Sequence, residues 1–373
     1  MSNIFKKYVI ANELFVNEEN WKEIIDNNSQ EFIIKEISDA IVLFNISLPY
    51  RDILLGSVKD DYKALKKITK HTHWKQGQWL NKFEYNYAFN NDYIDISNAG
   101  NKASNYFHQI ERWKCDATGY PSPQKTWETE KFRLTLFKAL FSLKVKEINP
   151  TVLRNLISLR KYIAAQFRPS AAKVIYDIFM PKTTLDFSMG WGDRILGAHA
   201  SDYVEKYVGI DPNKNLFEGY NNQIRCYNCL GEKKDFEFIC GRAEDENIVL
   251  KDEFDLIFTS PPYFDKEKYD QSDEQSYKMY HDFDSWLNNF LCKAIELRSK
   301  NLKSGGYLVI NINDIYTRKK LYKICDGMNS YIDSTNLFDY KGAIGLRTPK
   351  RPMSISSNTV GLYGEPIFVW KKK

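Results

Sequence analysis

Between residues 182 and 263 one scheme recurs four times: a short apolar run, then a loop holding glycine, an acid or proline. "KTTLDFS" (182–188) runs into glycines, "EKYVGIDPN" ends its apolar run at Asp211, and "FEFICGRAED" and "FDLIFTSPPY" repeat the pattern. "GGYLVININD" (305–314) and "EPIFVWKKK" add two further apolar strands. Helical text lies between them, as in "NKNLFEGYNNQIRC" and "YHDFDSWLNNFLCKAIELRSKNL". The second of these places Phe283, Trp286, Leu287, Phe290, Leu291 and Ile295 on one face. Strands that are apolar throughout must be covered on both sides, and intervening helices do this while returning each strand parallel to the last. The predicted fold class is therefore α/β, a Rossmann-like sheet with helices on both faces. Such sheets bind ligands at the carboxyl ends of their strands, where this chain places its unusual residues.

Upstream the text changes. "NPTVLRNLISLRKYIAAQF" reads as a helix capped by Asn149 with Pro150 in its first turn. "RPSAAKVIYDIFMP" reads as another, started by Ser170 and stopped by Pro181. Residues 1–130 mix charge, aromatics and turn residues without a clean period. The expected organisation is an N-terminal mixed or helical domain over 1–150, a candidate for nucleic-acid recognition, and a catalytic domain over 151–373. A length of 373 residues accommodates both. With 43% hydrophobic and 27% charged residues the chain is globular rather than disordered. No apolar run approaches the ~18 residues of a membrane span, and the first residues lack a secretory apolar segment, so a soluble, cytoplasmic protein without a membrane partner is expected. Six cysteines in a chain of this length form no disulfide framework and are expected as buried, reduced thiols. Cys226–Cys229 and His71–His73 lack further ligands at metal-site spacing, so no metal is expected. The net charge of +5 is compatible with a polyanionic partner without identifying one.

The chemistry-bearing residues follow the strands. In "DFSMGWGDR", Gly190 and Gly192 let backbone approach a ligand, and Asp186 can orient their loop. Asp211 lies about 20 residues further on, where an acid can bind both hydroxyls of a ribose; Asp-Pro-Asn would also cap a helix. In "GRAED", Ala243 and Glu244 can reach an adenine, with Glu244 or Asp245 accepting from its amino group. A third glycine and a partner for phosphates are missing, which favours a nucleoside cofactor without phosphates. In "TSPPYF", two prolines stiffen a loop in which Ser260 and the Pro261 carbonyl can converge on the two hydrogens of an amino group. Holding both hydrogens draws the nitrogen lone pair out of conjugation so that it can attack an electrophile. Pro262 fixes the turn and Tyr263 offers a stacking face, although Ser-Pro-Pro also occurs in ordinary turns.

The order "DFSMGWG", "VGIDPN", "CGRAED", "FTSPPYF" resembles the S-adenosylmethionine-dependent amino-methyltransferases of nucleic acid, over roughly residues 165–373. The Ser-Pro-Pro-Tyr form is most similar to those acting on N4 of cytosine; N6-adenine enzymes more often carry Asp or Asn first. The chain departs from the family's Asp-Pro-Phe-x-Gly-x-Gly in Phe187-Ser188 and Trp191, and Arg242 stands where an acid is usual. The resemblance implies a class I methyltransferase sheet, S-adenosyl-L-methionine as cofactor, Arg168 beside the cofactor carboxylate, and an extruded base stacked on Tyr263. It implies DNA as the partner, with N6-adenine, RNA, or an inactive nucleic-acid-binding subunit as alternatives. Candidate nucleic-acid contacts are Lys67, Lys70 and Trp74, in a stretch (63–87) that also holds Trp79 and Tyr85, and Arg347, Lys350 and Arg351 in a basic loop before the last strand. A solvated lysine face or an exposed loop would explain either segment as well.

Overall fold

Ten strands form the main sheet in the computed structural model, which describes residues 3–75, 88–89, 92–95, 97–160, 163–270, 272–317, 319–347 and 362–373. They are β1 (Trp74–Lys75), β2 (Ala88–Phe89), β3 (Tyr93–Ile94), β4 (Thr183–Asp186), β5 (Lys206–Asp211), β6 (Asp235–Cys240), β7 (Phe254–Thr259), β8 (Leu302–Asn311), β9 (Phe338–Arg347) and β10 (Leu362–Lys372). The order is β1-β3-β9-β10-β8-β7-β4-β5-β6, with β2 pairing to β10. Strands β6, β5, β4, β7 and β8 are mutually parallel, and β10 is inserted antiparallel between β8 and β9. The order reverses between β4 and β7, the switch point at which open α/β sheets form a ligand crevice. This is the Rossmann-like α/β sheet that the sequence pattern predicts.

The central strands are buried on both faces: Leu185, Val208, Ile210, Phe254, Ile257, Leu308 and Ile310 are at most 1% exposed. The amphipathic stretch after residue 282 covers one face, burying Trp286, Phe290, Leu291 and Ile295 in the same cluster as those strands. Its turns over Trp286–Cys292 widen to π-helix before α-helix resumes at Lys293–Ser299, and Phe283 and Leu287 pack only partly buried.

The chain divides into two compact units, Met1–Asp52 with Gln109–Ala164, and Ile53–His108 with Ala165–Lys373. This departs from a single boundary at 150. Residues 53–108 belong with the sheet because they pack into it: the Tyr62 hydroxyl meets His199 Nδ1 at 2.9 Å, Tyr227 donates to the Ala103 carbonyl at 3.1 Å, and His108 Nε2 lies 3.0 Å from Gln223 Oε1. The other unit is mainly helical. Asn17 and Ser29 cap helices Glu18–Asn27 and Gln30–Leu43, and Asn149 caps Pro150–Arg160 through Val152 N at 2.9 Å. Its core joins Trp21, Ile33, Ile37, Trp127, Phe137 and Leu156.

Three expectations are corrected. The helix expected from Ser170 starts at Pro169 with Arg168 as its N-cap, and the Ser170 hydroxyl instead donates to the Ser97 carbonyl at 3.0 Å. Residues 338–347 form a full strand in which Ala343, Ile344 and Leu346 are buried, so Arg347 ends β9 rather than opening a loop. Only Cys115, Cys292 and Cys325 are buried; Cys229 and Cys240 are exposed, and none of the six is in a disulfide. Among the described residues no helix is long and apolar enough to cross a membrane.

Candidate active site

The loop after β4 is held from every side. Asp186 is fully buried, and its carboxylate accepts from Arg194 Nε (2.7 Å), the Tyr207 hydroxyl (2.8 Å), Thr259 Oγ1 (2.9 Å) and Ser188 N (3.2 Å). Burial pushes the Tyr207 phenol well up and Asp186 adds to the effect, so Tyr207 donates rather than ionises. Ser104, Tyr220 and Gln223 donate to the carbonyls of Trp191, Gly190 and Gly192, and Arg194 also reaches the Ser188 carbonyl. Gly190 and Gly192 take φ of +58° and +72°. At Gly192 a Cβ would also lie 2.3 Å from Gln223 Oε1 and 2.7 Å from His108 Nε2, so glycine is required twice over.

A cleft of about 310 Å³ opens along the carboxyl ends of β4, β5, β6, β7 and β8. Of the residues predicted from sequence it brings together Arg168, Gly190, Asp211, Ala243, Glu244, Ser260, Pro261, Pro262, Tyr263 and Arg347. Asp186 and Gly192 do not line it. Their side of the loop faces the interior, and they act on the cleft by fixing the backbone that does line it. Lys67, Lys70 and Trp74 lie elsewhere on this unit; the Trp74 indole N–H is bound to Asp92 Oδ1 at 2.8 Å. Trp79, Tyr85, Lys350 and Arg351 fall outside the described residues.

The acids of the cleft are poised to receive donors. Asp211 accepts from Gly190 N and Asn213 N, both at 2.9 Å, and burial pushes its carboxyl up to about 6 although those two N–H groups pull the other way. Glu244 accepts from the Tyr280 hydroxyl at 3.3 Å through Oε1, while Oε2 is buried with no hydrogen-bond partner among the described residues. Burial raises its carboxyl as well. Asp245 instead binds Asn247 N and Nδ2 at 2.9 Å and lies outside the lining, so Glu244 is the acid of "GRAED" that faces the cleft. Arg168 is steadied by Asn98 Oδ1 (2.7 Å) and the Ser97 carbonyl (3.3 Å).

At the end of β7 the prolines are followed by Tyr263 and then by Phe264 at φ +49°, a conformation bulky residues rarely adopt. The Phe264 ring holds it there, lying 5.3 Å from Tyr322 and 5.7 Å from both Phe283 and Trp286. Tyr263 is partly buried, with the Lys266 ammonium 5.1 Å over its ring. Burial pushes its phenol well up, Glu365 pushes further, and the hydrogen bond with Ser260 pulls back. Gln166, Asp193, Arg194, Lys266, Glu267, Asn311 and Glu365 also line the cleft and escaped the sequence analysis. Lys266 and Glu267 lie outside the quoted stretches, and the others, Asn311 apart, stand inside them as ordinary helix or strand residues with no local sign of a site. The one visible signal was Asn311, a polar residue closing the apolar run "YLVIN".

Sheet order and cleft position are those of the class I, Rossmann-like methyltransferase fold. Residues 254–373, from the strand carrying "TSPPYF" to the end of the chain, match the family model N6_N4_Mtase, described as DNA methylase. No curated protein sequence matches the chain. Among solved structures, the chain is similar to an rRNA methylase from Streptococcus thermophilus (13% identity, covering 56% of this chain and 99% of that one, TM-score 0.33). It is also similar to a methyltransferase from Pyrococcus furiosus (13%, 55% and 82%, 0.37) and to TrmN from Thermus thermophilus (16%, 55% and 49%, 0.35). At such TM-scores these likenesses decide nothing about substrate. S-adenosyl-L-methionine is the cofactor of this class, and the cleft fits it: a buried carboxylate ends β5, a buried acceptor without a partner among the described residues follows β6, and a fixed glycine loop lies beside them.

Proposed function

We propose that this protein transfers a methyl group from S-adenosylmethionine to the exocyclic amino group of an extruded nucleic-acid base, N4 of cytosine in DNA. The observation that carries the proposal is the presence of Ser260-Pro261-Pro262-Tyr263 in the same cleft as Asp211 and Glu244. Asp211 receives the ribose hydroxyls, the free oxygen of Glu244 receives the adenine amino group, and Arg168 faces the methionine carboxylate. When bound, the cofactor supplies an electrophilic methyl group on a sulfonium, the carbon–sulfur bond electrons returning to sulfur as a neutral thioether. Ser260 and the Pro261 carbonyl hold the amino hydrogens, and Tyr263 stacks on the base, which leaves its helix to reach the cleft. The part of the chain is to keep the amino lone pair free, and the surplus proton on nitrogen leaves to solvent after transfer, so the site needs no strong general base. Orientation and fixed dipoles are the main contributions of the chain. Arg347 contacts the nucleic acid from within the cleft, and Lys67, Lys70 and Trp74 on the same unit are further contacts, as are Lys350 and Arg351, which lie outside the described residues.

The test is incubation with labelled cofactor and unmodified DNA, with RNA in parallel, followed by digestion and mass spectrometry of the nucleosides. N4-methylcytosine from DNA is expected. N6-methyladenine would keep the mechanism and overturn the base, and no methylated nucleoside despite cofactor binding would overturn the substrate.

Asp211 gives this reading a pH signature. Its ionised form is the better acceptor for ribose hydroxyls, so cofactor affinity is expected to fall as pH drops below about 6, approaching tenfold per unit. The cofactor-free fold responds with the opposite sign. A carboxyl raised from 3.8 to about 6 contributes stability below 3.8 and loses it as pH rises through 6. Calorimetric titration across this range checks the point. An equally steep fall in Asp211→Asn would assign it to another group.

A further inference from the structure

We propose that Asn311 sets the polarity of the Ser260 hydroxyl, engaging its proton so that the oxygen's lone pairs face the target amine. The proposal rests on the methyl-transfer reading above. Asn311 is the last residue of β8, 2% exposed, and lines the cleft. Its Oδ1 accepts from Ser260 Oγ at 3.3 Å and from the Tyr263 hydroxyl at 3.4 Å, while its Nδ2 donates to the Pro366 carbonyl at 3.1 Å. Chemistry fixes the orientation of this amide. The Pro366 carbonyl can only accept and must face the NH₂, which leaves Oδ1 toward two hydroxyls that can both donate.

This matters because a serine hydroxyl is ambivalent, with one donor and two acceptor sites. Left alone, Ser260 can donate to the lone pair of the amine, the electrons that methyl transfer requires. An asparagine or an ionised aspartate at this position presents an oxygen without a proton and has no such ambiguity. Serine needs a neighbour to take its proton, and Asn311 Oδ1, which can only accept, is placed to do so. The Tyr263 hydroxyl beside Ser260 donates its own proton to the same oxygen. Both distances exceed the ~2.7–2.8 Å usual for hydroxyl donors, as fits two donors sharing one oxygen in a substrate-free site, where such bonds commonly tighten only with substrate. The same oxygen ties the Tyr263 ring, so one side chain aligns the group that orients the amine and the group that stacks on the base. Asn311 is thus a positioning residue, acting through Ser260 and Tyr263.

The experiment compares Asn311→Leu, which has similar bulk and no acceptor, with Asn311→Asp, which keeps an oxygen toward the hydroxyls. Leucine is expected to lower kcat by about 100-fold, the scale of one lost orienting hydrogen bond, with cofactor Kd unchanged, and aspartate to recover most of the loss. In a Ser260→Asn background, where no proton needs a partner, the leucine substitution should cost only a few-fold. Equal losses in Leu and Asp, or an undiminished loss in the Ser260→Asn background, would show that Asn311 merely supports the loop and overturn the proposal. Failure of the wild type to methylate any base is a separate result, which sinks the methyl-transfer reading. Crystal structures of the wild type and Asn311→Leu then decide on Asn311 independently: a Ser260 Oγ that keeps its position without the amide overturns its role, and one that swings away supports it.

Discussion

Tyr263→Ala is expected to lower kcat/KM for methyl transfer by about 10- to 100-fold, from stacking energies of about 1–3 kcal/mol per base. Affinity for S-adenosylmethionine should stay within a few-fold of wild type. The expectation follows from the position of the ring. Tyr263 directly follows the two prolines, lines the cleft and carries Lys266 over one face, whereas the next residue, Phe264, is the one locked into the aromatic core. Removing the ring takes a surface from the cleft and some packing from the edge of the cluster, while Phe264, the ring locked inside it, stays. Tyr263→Phe keeps that surface and loses only the hydroxyl with its contacts to Asn311 and Ser260, so it should retain most of the activity. Steady-state kinetics on DNA with calorimetry of the cofactor separates the two roles. If Tyr263→Ala loses cofactor binding in proportion to activity, the ring is a wall of the cofactor site and the stacking role falls.

The motifs that were legible in the sequence share one physical property: each is a local device at a strand end. Asp211, Ser260 and the glycines need only their neighbours in sequence to announce a turn, an acid or a rigid loop, and the strands before them are marked by unbroken apolar runs. What was not legible depends on distant partners. Arg194 is an ordinary helix residue until Asp186, eight positions earlier, is seen buried beneath it. Glu365 and Asn311 come to the cleft because β10 inserts antiparallel beside β8, a pairing that no local pattern encodes. Strand β9 was hidden by its two glycines and mixed polarity, since its burial comes from β10 and β3 rather than from its own alternation. The placement of residues 53–108 with the sheet was hidden for the same reason: Gly100, whose Cβ would lie 2.7 Å from Pro169, makes a contact across one of the two sequence segments of the other unit.

Asp186→Ala is expected to give the largest loss of stability of any change near the cleft, about 3–5 kcal/mol, because it removes one partner of a buried ion pair. The Arg194 side chain is 4% exposed and that of Asp186 0%, so a guanidinium left without its carboxylate cannot regain water where it stands. The hydroxyls of Tyr207 and Thr259 lose their acceptor in the same step. Such a loss is a large share of the 5–15 kcal/mol that typically holds a domain together. Asp186→Asn keeps an acceptor for the hydroxyls but not the charge, and should fall between alanine and wild type. Removing both charges, as Asp186→Asn with Arg194→Met, should cost less than the two single losses combined, because no buried charge is then left alone. Urea denaturation of the five proteins, wild type and Arg194→Met alone included, measures these differences. A loss below about 1 kcal/mol for alanine would mean that Arg194 finds another partner and the pair is dispensable. Because Arg194 also reaches the Ser188 carbonyl, the same substitution frees the glycine loop at its first residue. Weaker cofactor binding should therefore accompany the loss of stability even though Asp186 never faces the cleft.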